Sequence, residues 1–142
     1  MFDDIEIIKQ GIAKFADKYK LSLVVIFGSQ VSGKIHSDSD VDVAYSSSAP
    51  LSLEDESRLI LDLAGVFKTN LVDIVSLRAS SPLLLKEIAD NAVVLYESEK
   101  SLFSEFRLYS FKKYFESKRL FDLRRDYLDK KLGQYKKELK YV

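Results

Sequence analysis

The stretch FGSQVSGKIHSDSDVD, residues 27–42, joins two segments that have the patterns of strands. Before it, residues 21–27 (LSLVVIF) are apolar and partly β-branched and run up to a glycine, as a buried strand does. After it, residues 39–44 (SDVDVA) alternate polar and apolar side chains, as a strand with one buried face does. The sequence therefore predicts a strand, a polar turn and a second strand.

The second of these strands carries two acidic residues, Asp40 and Asp42, on one side. Two neighbouring carboxylates repel each other, so their placement favours a divalent cation between them. The turn before them suits phosphate, because Gly28 allows a sharp bend and Ser29 offers a hydroxyl and a backbone N–H. We therefore interpret the stretch as a nucleotide- and metal-binding turn.

The same stretch also matches the first seven positions of a P-loop, G-x-x-x-x-G-K, from Gly28 to Lys34. A P-loop continues with Ser or Thr, which binds magnesium, and then with a long helix. Here Ile35 follows, and the chain returns to a strand pattern by Val41. The P-loop interpretation is therefore disfavoured.

A second and fuller pattern fits at every fixed position. It reads G-S-x-x-x-G-x-x-x-x-x-S-D-x-D, and its fixed positions are occupied by Gly28, Ser29, Gly33, Ser39, Asp40 and Asp42. In its setting between two strands, this pattern resembles the signature of the polymerase-β-type nucleotidyltransferase superfamily.

Length and composition limit the classes of protein to consider. At 142 residues with 46% hydrophobic content, the chain can form one domain with a real core and a helical extension. It has no cysteine, which excludes disulfides and thiolate metal sites. The start lacks a basic leader and no apolar run is long enough to span a membrane, so we expect a soluble cytoplasmic protein.

The remaining patterns predict an α+β fold. Helices are predicted at residues 3–18, 51–67 and 81–89, the last two capped by Ser52 and Ser81. Further strands are predicted at residues 71–77 and 92–96, and residues 46–50 (SSSAP) are predicted to form a loop. The expected architecture is a mixed sheet of about four strands with packed helices, as the polymerase-β-like nucleotidyltransferase fold has.

Asp73 interrupts the apolar pattern of the third strand. It is either an exposed strand residue or a third carboxylate beside Asp40 and Asp42 on a neighbouring strand. The resemblance implies the second role, because an acidic residue of a following strand commonly completes the site in that family. Lys34 and Arg78 are further candidates for contacts with phosphate.

The last third of the chain differs in composition. Residues 99–142 contain 13 Lys and Arg against 7 Asp and Glu, which gives them a net charge of +6 and leaves −6 for residues 1–98. Ten of the 17 Phe and Tyr residues also lie there, at helical spacing, and predict one long helix or two ending near residue 132. We expect most of these aromatics to pack on the sheet as core. A protein partner is favoured over RNA, because acidic residues are interleaved with the basic ones.

The resemblance implies a function. The short chain is similar to minimal nucleotidyltransferases, with residues 1–98 as the nucleotidyltransferase domain and 99–142 as a helical C-terminal extension. It most resembles the MntA-type antitoxins, which implies transfer of AMP from ATP to a tyrosine of a HEPN ribonuclease toxin and a hetero-oligomer with that toxin. It implies that Asp40, Asp42 and Asp73 are catalytic and bind Mg²⁺, with two ions expected. It further implies nucleotide contacts from Gly28, Ser29 and Ser39, the first two to the β- and γ-phosphates.

Two other functions stay open at this point. The chain is a small-molecule nucleotidyltransferase if its acceptor is, for example, an aminoglycoside, although such enzymes normally carry a larger substrate-binding domain. It is a non-catalytic antitoxin if it neutralises its partner by binding alone, through the basic aromatic helix. Nucleic acid is disfavoured as the direct substrate, because the chain is too short to carry the additional domains that grip it.

Overall fold

The computed structural model describes residues 5–28 and 40–139, which form four strands, four α-helices and one 3₁₀ turn. In chain order these are α1 (Ile5–Ala16), β1 (Leu21–Phe27), β2 (Val41–Ser47), α2 (Leu53–Phe67), β3 (Val72–Ser76), the 3₁₀ turn (Leu77–Ala79), α3 (Pro82–Asn91), β4 (Val93–Glu97) and α4 (Leu102–Leu139). None of the helices in these residues is both long and apolar enough to cross a membrane.

The four strands form one mixed sheet in the order β3-β2-β1-β4. β1 pairs antiparallel with β2 and with β4, whereas β2 and β3 are parallel. A parallel pair needs a long crossover between its strands, and α2 provides it. The predicted α+β architecture with a mixed four-stranded sheet is confirmed.

Alternation along the strands builds a core on each face of the sheet. One face carries Val24, Ile26 and Val43 against α1 and α2, where Ile12 and Leu59 are fully buried. The other face is covered by α3 and the first turns of α4; its buried members are Leu23, Val25, Ala44, Leu77, Leu85 and Ile88. The sheet is therefore the middle layer of three.

Side-chain hydrogen bonds fix the ends and the position of the helices. The hydroxyls of Ser52 and Ser81 accept N–H bonds at the starts of α2 and α3, as predicted. On β2, the Tyr45 hydroxyl donates to the Glu56 carboxylate of α2 at 2.8 Å. Burial, and then this bond, raise the pKa of Tyr45 to about 12, so its hydroxyl remains a donor at neutral pH.

Two sequence predictions in this part of the chain need correction. Residues 46 and 47 were predicted to lie in a loop, but β2 continues to Ser47 because Ser46 and Ser47 pair with Leu23 and Leu21 of β1. The last helix was predicted to end near residue 132, yet α4 continues to Leu139. One interior glycine, Gly133, costs a helix only about 1 kcal/mol, and good helix formers flank it.

The prediction that most aromatics of the last third are core is wrong. None of the nine that the structure describes is buried, and five are exposed: Tyr109, Phe115, Phe121, Tyr127 and Tyr135. The reason is geometric. A helix of 38 residues is about 57 Å long, whereas each strand spans only about 16–24 Å, so the later turns of α4 extend past the sheet.

Ser110 is the one fully buried residue of α4, and its hydroxyl has no hydrogen-bond partner among the described residues. An unpaired buried hydroxyl costs roughly 1–3 kcal/mol. We predict that Ser110→Ala raises the free energy of unfolding by about 1.5 kcal/mol or more in chemical denaturation, the sum of the removed penalty and the higher helix propensity of Ala.

The matched control for helix propensity is Ser117→Ala, at a half-buried position of the same helix. It should gain only about 0.5 kcal/mol, the intrinsic advantage of Ala over Ser. Equal gains in both variants would show that the Ser110 hydroxyl carries no penalty of its own.

Candidate active site

The sheet register brings two of the predicted carboxylates together. Asp42 of β2 lies opposite Phe27 of β1 on one side and is in register with Asp73 of β3 on the other. Adjacent strands lie about 4.8 Å apart, and residues in register point to the same face. Asp42 and Asp73 are therefore direct neighbours at the end of the sheet where β2 and β3 begin. Asp40 precedes β2 and is exposed.

The electrostatics of Asp42 reflect this crowding. Partial burial raises the pKa of the Asp42 carboxyl above its ordinary value, and the negative charges of Asp73 and then Asp40 raise the pKa further. A site that disfavours its own ionised form attracts positive charge. The charges of Asp73 and Asp40 therefore act on the Asp42 carboxyl.

Gly28 closes the site from the end of β1. Its φ is +83°, a backbone conformation that side chains with a Cβ rarely adopt. A Cβ at this position would overlap the Oδ2 atom of Asp42. The backbone of the turn thus passes directly against the carboxylate, and only glycine fits there.

The donor set is suitable for a hard cation. Carboxylate oxygens are the ligands that Mg²⁺ prefers, and the chain offers them from Asp40, Asp42 and Asp73. In residues 5–28 and 40–139 no three His, Cys, Asp or Glu side chains converge on one ion position. Within those residues the strand register pairs Asp42 with Asp73, which gives two adjacent carboxylates as candidate ligands.

Other predicted site residues have different outcomes. Ser29, Ser39 and Lys34 lie outside the described residues. Arg78 was a candidate for phosphate binding, but its guanidinium donates to the backbone carbonyl of Ser47 at 3.3 Å. That contact is at the end of the sheet opposite Asp42, because β3 carries the chain away from Asp73 before Arg78 is reached.

The sequence did not predict a cavity of about 420 Å³ at this opposite end. It is lined by residues of β1, β2, the 3₁₀ turn and α4, among them Ser22, Ser46, Arg78 and Tyr109. These segments are far apart in the chain and no local pattern links them.

A mixed sheet with acidic residues at the start of two parallel strands, reached through a glycine turn, defines the nucleotidyltransferase class. The sequence profile described as polymerase beta, nucleotidyltransferase matches residues 10–101, which is more than half of the chain, and the chain belongs to that family. A comparison with curated proteins gives no match.

Solved structures share this fold. A toxin–antitoxin complex with AMP-PNP has 24% identity and a TM-score of 0.66, covering 86% of this chain and 96% of that one. An MNT antitoxin in complex with the tri-AMPylated HEPN toxin of Shewanella oneidensis has 22% identity and a TM-score of 0.62, with 89% and 97% covered. A MntA–HepT toxin–antitoxin has 21% identity and a TM-score of 0.61, with 88% and 97% covered. These likenesses establish the fold.

We predict that Gly28→Ala destabilises the protein and disturbs the Asp42 carboxylate. The positive φ alone costs a residue with a Cβ roughly 1–2 kcal/mol. The new methyl group must also displace the carboxylate that it overlaps. Chemical denaturation measures the loss of stability.

Gly65→Ala is the matched control for this change. Gly65 is exposed in α2, and a Cβ there meets nothing within 4 Å. Alanine should therefore stabilise that helix by up to about 1 kcal/mol. A Gly28→Ala protein as stable as wild type would contradict the tight approach of the turn to Asp42.

We predict that Asp42→Asn stabilises the metal-free protein at neutral pH. The pKa of Asp42 is raised in the folded state, so its protonated form stabilises the fold relative to its ionised form. This contribution to the free energy of unfolding is fully present below the unfolded pKa of about 3.9 and is lost as pH rises through the folded pKa. In EDTA the variant should melt above wild type at pH 7, and the difference should shrink as pH falls toward about 4.

Asp17→Asn, in the exposed turn after α1, removes the same charge far from the site. Its melting temperature should follow wild type across that pH range. A similar gain in both variants would indicate a general effect of net charge and not repulsion within the carboxylate cluster.

Proposed function

We propose that this nucleotidyltransferase is an antitoxin that transfers AMP from ATP to a tyrosine hydroxyl of a HEPN ribonuclease toxin and so neutralises it. The observation that carries the proposal is the in-register pairing of Asp42 with Asp73 beside the Gly28 turn. Similarity in fold to toxin–antitoxin complexes, one of them with an AMPylated HEPN toxin, supports the choice of acceptor. The proposed site of action is the cytoplasm.

The residues have separate roles in this proposal. Asp40 and Asp42 would hold magnesium together with the triphosphate, and Asp73 would complete the metal-binding set nearer the acceptor. Two ions are expected in all. Gly28 and Ser29 would contact the β- and γ-phosphates, and Ser39 would contribute to nucleotide binding. Bound magnesium would offset the negative charge of the phosphates and the carboxylates.

The proposed transfer is one substitution at phosphorus. The acceptor hydroxyl oxygen forms a bond to the α-phosphorus of ATP, while the bond from that phosphorus to the oxygen bridging to the β-phosphate breaks. Pyrophosphate leaves with the electron pair. The hydroxyl proton passes to the Asp73 carboxylate and from there to water. The products are an AMP-tyrosine phosphodiester and pyrophosphate.

We predict that Asp42→Asn and Asp73→Asn each reduce AMP transfer by at least about 100-fold, because each removes a carboxylate from the reacting site. The assay follows label from α-³²P-ATP with magnesium onto a purified HEPN ribonuclease toxin that is offered as the acceptor. Mass spectrometry then locates the added AMP. EDTA should abolish transfer by the wild type.

Asp17→Asn is again the control, since it changes the same functional group at an exposed turn and should transfer at the wild-type rate. If label appeared on a small molecule such as an aminoglycoside and on no protein, the acceptor would be that small molecule and not a toxin tyrosine. Rescue of cells from the toxin by Asp42→Asn as efficiently as by wild type would show neutralisation by binding alone.

A further inference from the structure

The second half of α4 has no cover in the structure. Its first half packs on α3, β1 and β4, but every residue from Lys118 to Leu139 is exposed. At 1.5 Å per residue this exposed part is about 32 Å long. Isolated helices of this kind gain little from propensity alone and are normally stabilised by packing one face.

One face of this exposed part is apolar. At 100° per residue, the six residues that form it fall within an arc of about 60°, which is the width of a narrow helix-packing seam, whereas Leu120, Leu123 and Tyr127 lie outside this arc. We call this face the α4 stripe; it consists of Tyr114, Phe121, Leu128, Leu132, Tyr135 and Leu139. From Phe121 onward all its members are more than half exposed.

The α4 stripe continues an interface that already exists inside the domain. Its first member, Tyr114, contacts α3, with the Lys86 ammonium 5.0 Å from its ring centre. Beside it lies a groove of about 590 Å³ between the start of α3 and α4, lined by Leu83, Tyr114 and Phe121. The face that packs on α3 therefore runs on, uncovered, toward the C-terminal end of the helix.

The charges along the α4 stripe are mostly of one sign. Within about 80° of its centre line the basic side chains outnumber the acidic ones six to one, by helical geometry. The acidic one is Asp129, and the basic ones are Lys113, Lys118, Arg124, Arg125, Lys131 and Lys136. Charges that flank an apolar seam select the partner, because like charges repel and opposite charges attract across it.

The basic side chains that flank the α4 stripe distinguish between possible binding partners. A second copy would place its own basic border against this one, whether the two helices lay parallel or antiparallel. RNA would match the charge and the three aromatic rings, but not the adjoining leucines Leu128, Leu132 and Leu139, because single-stranded RNA is bound by stacking on rings and not by aliphatic side chains. A helix with an apolar face bordered by Asp and Glu matches both features.

We infer that the α4 stripe and its adjoining groove dock a helix of a separate protein whose apolar face is bordered by acidic residues. Resting on the proposed function, the inference assigns this helix to the HEPN toxin. The docking surface lies away from the carboxylates. Its groove is next to Ser81 and Pro82, which follow the end of β3 opposite Asp73.

The test replaces two members of the stripe, in the double variant Leu128→Glu, Leu132→Glu. Isothermal titration calorimetry measures the affinity of this variant for the same purified HEPN toxin as in the transfer assay. We expect the Kd to rise at least 100-fold, since two apolar contacts become charges set against an apolar face and beside its acidic border. Reversal of the border in Lys118→Glu, Arg125→Glu should weaken binding and reduce its dependence on salt.

The matched control is Leu123→Glu. Leu123 is 59% exposed, as Leu128 and Leu132 are at 51% and 57%, but it lies on the opposite side of the helix. Its Kd should stay within about threefold of wild type. The Leu128→Glu, Leu132→Glu variant and the Leu123→Glu control should both keep the wild-type melting temperature and the wild-type affinity for a fluorescent ATP analogue. These two measurements would show that the fold and the nucleotide site are intact.

The outcomes separate this inference from the proposed function. Equal Kd for the double variant and wild type, with AMP transfer intact, would overturn the docking surface and leave the enzyme. A tight complex that depends on Leu128 and Leu132 but shows no transfer would overturn the enzyme and leave the docking surface. If wild type formed no complex and transferred no AMP, both would be overturned. A wild-type dimer that the double variant dissociates, or RNA binding that it abolishes, would assign the stripe to a different occupant.

Discussion

The in-register parallel pairing of β2 with β3 is the constraint on which the rest of the structure depends. It places Asp42 beside Asp73, and it can exist only because α2 carries the chain back along the sheet between the two strands. β1 pairs with the other edge of β2 and brings Gly28 against the Asp42 carboxylate. A slip of β3 by one residue would turn Asp73 to the opposite face and leave Asp42 without its neighbour. The site is thus a property of the sheet and not of any one segment.

Such a pairing is unfavourable in itself, because burial and two neighbouring charges all disfavour ionised Asp42. Apolar burial on the opposite face of β2 offsets this unfavourable free energy. Val41 and Val43, on either side of Asp42, are buried against α1 and α2, and Ile26 of β1 is fully buried beside them. Since side chains alternate along a strand, one face can anchor β2 in the core while the other holds charge. The fold keeps a repulsive cluster in place by packing behind it, which is the arrangement that an incoming cation can use.

Local patterns in the sequence predicted the features that depend on local chemistry. The buried strand at Leu21–Phe27, the caps at Ser52 and Ser81, and the position of Asp42 in the strand after the turn are of this kind. Asp40 was predicted in the same strand but lies just before it. Features that depend on contacts between distant parts of the chain were harder to predict from the sequence. Alternation indicated that Asp73 interrupts a strand, but which residue it neighbours depends on register, which only the assembled sheet determines. Arg78 is only five residues from Asp73 in sequence, yet β3 carries it to the other end. Apolar spacing predicted helical structure in the last third of the chain but not its end at Leu139, and spacing alone does not say what covers a helix face.

The charge distribution separates two functions along this short chain. Residues 1–98 carry a net charge of −6 and residues 99–142 a net charge of +6, so an acidic partner is attracted to α4 and repelled from the carboxylate end of the sheet. A partner docked on the α4 stripe by an acidic helix must therefore present its acceptor from a different segment. In the proposed transfer that segment would approach three carboxylates and a triphosphate, which favours a neutral or basic surrounding for the acceptor hydroxyl. The two ends of the molecule thus select opposite charge on the same partner, which fixes its orientation as well as its affinity.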